Sequence, residues 1–110
     1  MSEVEIYDQE TGARIGSMTD AQFKVLTTYL RLAGEDVGNE RDHRITRVML
    51  DIMRRESQRV GAEAHNLPEL GQPERGARAE MRAARLIEVT DLLRGALGKR
   101  TEMTIYWQKD

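Results

Sequence analysis

The side chains that could do chemistry in this sequence are two histidines, a surplus of arginines and a few aromatic residues. His43 lies in Asp42-His43-Arg44 and His65 in Ala64-His65-Asn66. A carboxylate beside an imidazole can orient it as a general base, so Asp42 and His43 form the one candidate pair for acid–base work. Neighbours in sequence often point apart, however, and no nucleophile is marked by its context. Both histidines fall in segments that read as loops, so both are expected to be solvated. Neither has a second ligand at metal spacing, which argues against zinc. The glycines are scattered, and none follows a strand and opens a helix as a phosphate loop requires. No catalytic residue, metal or cofactor is therefore expected.

Arginine supplies fourteen of the seventeen basic residues. Guanidinium groups suit carboxylates and phosphates, although a GC-rich genome gives the same bias. Arg44, Arg47, Arg54, Arg55 and Arg59 crowd one segment, where Asp51 stands four residues from both Arg47 and Arg55. Such pairs mark a salt-laced exposed helix more than a phosphate-tracking one. A second row, Arg75, Arg78, Arg82 and Arg85, is spaced three, four and three residues apart and so lies along one side of a helix.

Positioning these groups requires strands and helices that the pattern supplies. Val4 and Ile6 alternate with Glu5 and Tyr7, residues 8–12 supply a turn with Gly12 in the left-handed position, and residues 14–18 resume an extended pattern. Thr19-Asp20-Ala21-Gln22 fits a capping box, so a helix starts there with Phe23, Leu26, Leu30 and Ala33 inward and Gly34 as its stop. Residues 35–44 read as a polar loop. Thr46 can cap a second helix, stapled by Ile45 and Leu50, with Val48, Met49, Ile52, Met53 and Val60 inward before Gly61 ends it. Residues 61–76 hold both prolines and three glycines and read as a mobile connection. A third helix runs from Arg75 to Leu97, closed by Gly98, and Met103-Thr104-Ile105-Tyr106-Trp107 alternates as a terminal strand.

The order predicts one α+β domain over residues 1–110. A small antiparallel sheet, made of the N-terminal hairpin and the C-terminal strand, is covered on one face by about three helices. Val4, Ile6, Met103, Ile105 and Trp107 would line the covered face, and pairing the last strand with the first would tie both chain ends into one sheet. The other face would carry Glu5, Tyr7, Thr104 and Tyr106. Two outward tyrosines suggest a cross-strand pair or a dimer patch rather than a base-stacking platform, because basic residues are missing beside them.

The third helix carries a conflict. Leu86, Val89, Leu93, Ala96 and Leu97 form an apolar stripe, and continuing it backwards meets Arg75, Arg78, Arg82 and Arg85 instead of core residues. Ala77, Met81 and Ala84 lie on the opposite side. The pattern therefore predicts either a bend near residues 87–90 or a first half that leaves the domain and meets a second chain, with Met81 at the contact.

The ends of the chain resemble a group of short bacterial proteins of unknown function. The resemblance rests on the acidic hairpin, the capped helix, the helical middle, the Leu92-Leu93-Arg94-Gly95-Ala96-Leu97-Gly98 helix end and the strand finishing in Trp107. It covers both ends, leaves residues 61–85 looking inserted, and implies a fold more than a function.

Composition sets the outer limits. The 110 residues are 39% hydrophobic and 33% charged with no cysteine, which suits one soluble domain without disulfides or thiolate chemistry. Residues 1–38 carry three Lys and Arg against seven Asp and Glu, whereas residues 39–100 carry thirteen against ten. The net charge of −2 gives no bulk attraction to nucleic acid. With an acidic N-terminus and no long apolar run, a cytosolic protein is expected, with no membrane partner. The expected function is a non-enzymatic interaction or regulatory module that binds itself or another protein through Arg75, Arg78, Met81, Arg82, Arg85, Tyr7 and Tyr106. A nucleic-acid-associated factor is the alternative, and a small enzyme with an unadvertised site comes third.

Overall fold

A computed structural model describes residues 3–66 and 71–109. Strands β1 (Glu3–Asp8) and β2 (Arg14–Thr19) form the expected hairpin, and Gly12 takes φ 74° in its turn. Asp8 organises that turn: its Oδ1 accepts from the backbone N–H groups of Glu10 (2.9 Å) and Thr11 (3.4 Å). Helix α1 (Asp20–Leu32) opens on the full capping box, with Gln22 N–H donating to Thr19 Oγ1 (3.2 Å) and Thr19 N–H donating to Gln22 Oε1 (3.0 Å). Its inward side is Leu26 and Leu30, with Phe23 edge-on to Trp107; Ala33, just beyond the helix, is exposed.

The segment expected to be all loop ends in an edge strand, β3 (His43–Thr46). Four residues alternate too briefly to stand out from a charged sequence, yet they complete an antiparallel sheet of order β2-β1-β4-β3 with the terminal strand β4 (Glu102–Lys109). Ile6 pairs with Trp107 and Ile45 with Met103, and both chain ends are tied into the sheet as the patterning implies. The fold is α+β. Val4, Ile6, Met103, Ile105 and Trp107 are all buried on the helical side.

Helix α2 (Arg47–Asn66) is capped by Thr46, whose Oγ1 accepts from Met49 N–H at 3.1 Å, and Ile45 and Leu50 are both fully buried. Gly61 does not end it. Two expected core residues also face out: Val48 is 67% and Ile52 50% exposed. The buried side instead runs through Met49, Met53, Ser57 and Val60, and the polar Ser57 hides that phase from a hydrophobicity reading. Its hydroxyl donates to Arg54 C=O at 2.6 Å, which lets it sit inside.

Helix α3 (Pro73–Leu97) is one continuous element. The first half is not detached, because its inward side, built from Gly76, Ala79 and Ala83 rather than from large residues, packs on α2. These small side chains let α3 lie close against the far part of α2. Hence the connection expected at 61–76 is shorter, since 61–66 and 73–76 are helical and residues 67–70 lie outside the described residues. The paired helices run past the sheet and stretch the molecule to 48 × 32 × 23 Å.

Specific polar contacts fix α3 on the rest. Arg94 reaches Asp51 of α2 at 2.7 Å and Gln22 of α1 reaches Glu88 at 2.5 Å. At its C-terminal end the unpaired carbonyls are taken up by side chains. Arg47 donates to Gly98 C=O (2.7 Å), and Arg100 donates to Ala96 C=O and Asp8 Oδ2, each at 2.8 Å. Gly16 of β2 faces Leu92, and a Cβ there would stand 2.9 Å from Leu92 Cδ1, so the hairpin presses directly onto α3. No described helix is long and apolar enough to cross a membrane.

Candidate partner-binding groove

Arg82 and Arg85 project from α3 on the side facing α1, next to its buried row, and Arg75 and Arg78 continue the row beside α2. Placed there, they border two depressions instead of covering a core. The larger, of about 550 Å³, lies between α1 and α3 and is lined by Ala21, Lys24, Val25, Tyr29, Arg82, Arg85 and Leu86, with Thr28 at its edge. The smaller, of about 290 Å³, lies where α2 and α3 extend beyond α1 and is lined by Val60, Glu63, Arg75, Arg78, Ala79 and Arg82. Arg82 lines both, so the two form a track of successive depressions along α3.

The floor of this track is apolar. Val60, Ala83 and Leu86 are buried together, with Val25, Tyr29 and Ala79 half-buried against them. Its rim is cationic and undercompensated. Arg82 has one ion pair, to Glu56 at 3.6 Å, and that carboxylate is held more closely by Arg59 at 2.6 Å. The arginine pulls Glu56 below the usual carboxylate range, chiefly through the Arg59 hydrogen bond. Among the described residues Arg75 bonds only Gln72 Oε1, at 2.7 Å. Among the described residues Lys24, Arg78 and Arg85 have no ion pair. Burial, followed by the nearby Glu56 carboxylate, raises the Tyr29 phenol, so it stays a neutral hydrogen-bonding group on the groove wall.

The remaining candidates are placed elsewhere. Met81 is 55% exposed on the far side of α3, with Ala77 and Ala84 also exposed. Tyr7 and Tyr106 are a cross-strand pair on the sheet face away from the helices, stacked at 5.0 Å and 12°, with Arg41 over the Tyr106 ring at 5.1 Å. Tyr7 and Tyr106 therefore do not join the arginines in one site. Lys24, Val25 and Tyr29 were missed by sequence reasoning because they sit off the core side of α1 and look like ordinary helix surface. Only the finding that α3 leaves a gap there gives them a role.

The histidines depart from expectation. His43 is on β3, not in a loop, and is 2% exposed, stacked on Trp107 at 4.0 Å and 9°. Its Nε2 bonds Asn39 C=O, while Nδ1 is buried without a partner. Asp42 turns away and exchanges hydrogen bonds with the Gln9 side chain. The pair considered for acid–base work is thus separated, and the imidazole is a core group. His65 lies exposed near the end of α2. Among the described residues no cluster of His, Asp or Glu could hold a metal ion.

Comparison with protein-family models, curated proteins and solved structures finds no match for this chain.

Proposed function

We propose that this protein is an interaction module that binds another protein chain through the α1–α3 track. The observation that carries this reading is the juxtaposition of an apolar floor with cations that have no internal carboxylate. A purely structural salt network would pair Arg78 and Arg85, and a closed core would cover Val25, Tyr29 and Ala79, which are only half-buried. A recessed apolar floor with an unmatched charged rim is the composition of a recognition surface.

The test is purification of the tagged protein from its own host, comparing the wild type with an Arg78→Glu/Arg85→Glu variant of unchanged thermal unfolding. A partner retained by the first and lost by the second supports the reading. Duplex binding that falls steeply between roughly 50 and 200 mM salt would instead favour the nucleic-acid alternative.

Self-association is a second reading, favoured by the exposed side of α3 formed by Ala77, Met81 and Ala84. Light scattering at rising protein concentration decides it.

A further inference from the structure

We infer that the occupant of the track is an acidic amphipathic helix of a different protein. This rests on the interaction-module reading and narrows it to one surface and one partner chemistry.

Shape gives the first reason. From Leu86 back to Arg75 the track follows twelve residues of α3, about 16 Å at 1.5 Å rise per step, which is the length of three turns of helix laid alongside. Its walls are helices: Ala21, Lys24 and Val25 of α1 and Val60 of α2 face α3 across it. An extended peptide recruited by strand addition needs an open row of backbone N–H and C=O groups, and helical walls offer none. A helix brings its own backbone bonds and needs only side-chain contacts. Apolar residues at i, i+3 or i+4, and i+7 would reach the half-buried Val25, Tyr29 and Ala79 in turn.

Charge gives the second. Lys24, Arg78 and Arg85 await carboxylates, Arg75 and Arg82 are only partly engaged, and the acids lining or neighbouring the track, Glu63 and Glu56, are both paired with Arg59. Carboxylates flanking the apolar stripe of a bound helix would meet these guanidinium groups, with the Tyr29 phenol available to donate as well. A bare phosphate chain would satisfy the cations and leave the half-buried Val25, Tyr29 and Ala79 uncovered. The acidic hairpin of a second copy is also a poor occupant, because three of its four carboxylates are engaged at home: Glu5 with Arg14 at 2.6 Å, and Asp8 and Glu10 with Arg100 at 2.8 and 3.5 Å.

The experiment uses the full chain and three fluorescent peptides of about 14 residues, or four turns. One is a Leu/Ala/Glu amphipathic helix, one has the same residues shuffled so that the leucines share no face, and one replaces Glu by Lys. Anisotropy should show the first binding at least about tenfold more tightly than the other two, and weakening with salt. Arg82→Glu/Arg85→Glu should reduce that binding by about tenfold or more, while Arg54→Glu, on the other side of the α2–α3 pair, leaves it within about twofold. Thermal unfolding of each variant checks that the fold is intact.

Equal binding of the shuffled peptide, indifference to the double charge reversal, or displacement of the peptide by a lower concentration of duplex DNA would each overturn the inference. So would the absence of binding by any peptide. That last result leaves the broader interaction reading standing, since the latter falls separately, if nothing is retained from the host.

Discussion

Gly61 of α2 faces Ala83 of α3 so closely that a Cβ added to Gly61 would stand 4.0 Å from the alanine Cβ. That is ordinary contact distance, so the site admits one methyl group and little more. Small residues let the two helices lie close together in this part of their contact.

Gly61→Ala should accordingly stabilise the protein, since it removes backbone freedom from the unfolded chain and adds a contact in the folded one. Gly95→Ala, also inside a helix and with nothing within 4 Å of the new methyl, should act alike. Each gain is expected at about 0.5–1 kcal/mol, which shifts the unfolding temperature upward by a few degrees. A loss of stability in Gly61→Ala would mean that α2 and α3 approach more closely than this spacing.

The same contact explains what the sequence hid. Hairpin, capping box, Gly12 turn and terminal strand are all written in local chemistry, and each is present. The path of α3 was misread because its first half buries Gly76, Ala79 and Ala83, which carry little hydrophobic signal, while the larger Met81 faces water. Ser57 masks the phase of α2 in the same way. The arginine row was legible as a row, but its role depends on where α1 stops, and that distance is set by tertiary packing rather than by spacing. His43 stood in a charged segment, and nothing local reports that Trp107, more than sixty residues on, would lie against it.

Asp8 makes stability pH-dependent. Burial alone would raise its carboxyl, but the Arg100 hydrogen bond and the backbone N–H groups of Glu10 and Thr11 outweigh that and hold it below its ordinary value of 3.8. A carboxyl depressed in the folded state contributes stability that is present above the unfolded value and lost as pH falls through the folded one. Asp8→Asn should therefore cost about 1–2 kcal/mol near neutral pH, the lower part of the range for a charge-assisted bond because Arg100 is a third exposed. In urea titrations the gap between wild type and variant should close below about pH 3.8. A gap that persists in acid would assign Asp8 a packing role instead.

His43 should matter to folding rather than to chemistry. His43→Ala removes a buried ring stacked on Trp107 and is expected to cost about 2 kcal/mol or more. His43→Phe keeps the stack and removes the unpartnered Nδ1, so it should be milder, as chemical denaturation would show. If the two variants are equally damaging, the hydrogen bond to Asn39 C=O carries the role.

Tyr7 and Tyr106 form a cross-strand stack on the open sheet face, so a double-mutant cycle to Leu should return a coupling of about 0.5–1.5 kcal/mol. The measurement is the change in unfolding free energy, with partner binding followed in parallel. Because the pair is on the opposite face of the sheet from the track, the single variants should leave peptide binding unchanged. A loss of binding at intact stability would move the recognition surface to the sheet.

Met81 and Leu93 lie on the same helix in opposite circumstances, which gives the clearest test of how α3 is used. Leu93 is fully buried against the sheet, and Leu93→Asp places a charge there with no partner, a change expected to unfold the domain. Met81 is 55% exposed and its side of α3 packs on nothing in the described chain, so Met81→Asp should alter stability by no more than about 0.5 kcal/mol. Light scattering then reads the function of that side. If the wild type is dimeric and Met81→Asp monomeric, the Ala77-Met81-Ala84 side is where copies meet, leaving the arginine track on the adjacent side free for a different protein. If Met81→Asp unfolds as Leu93→Asp does, α3 must be buried on both sides, and the track cannot be the open groove on which partner binding depends.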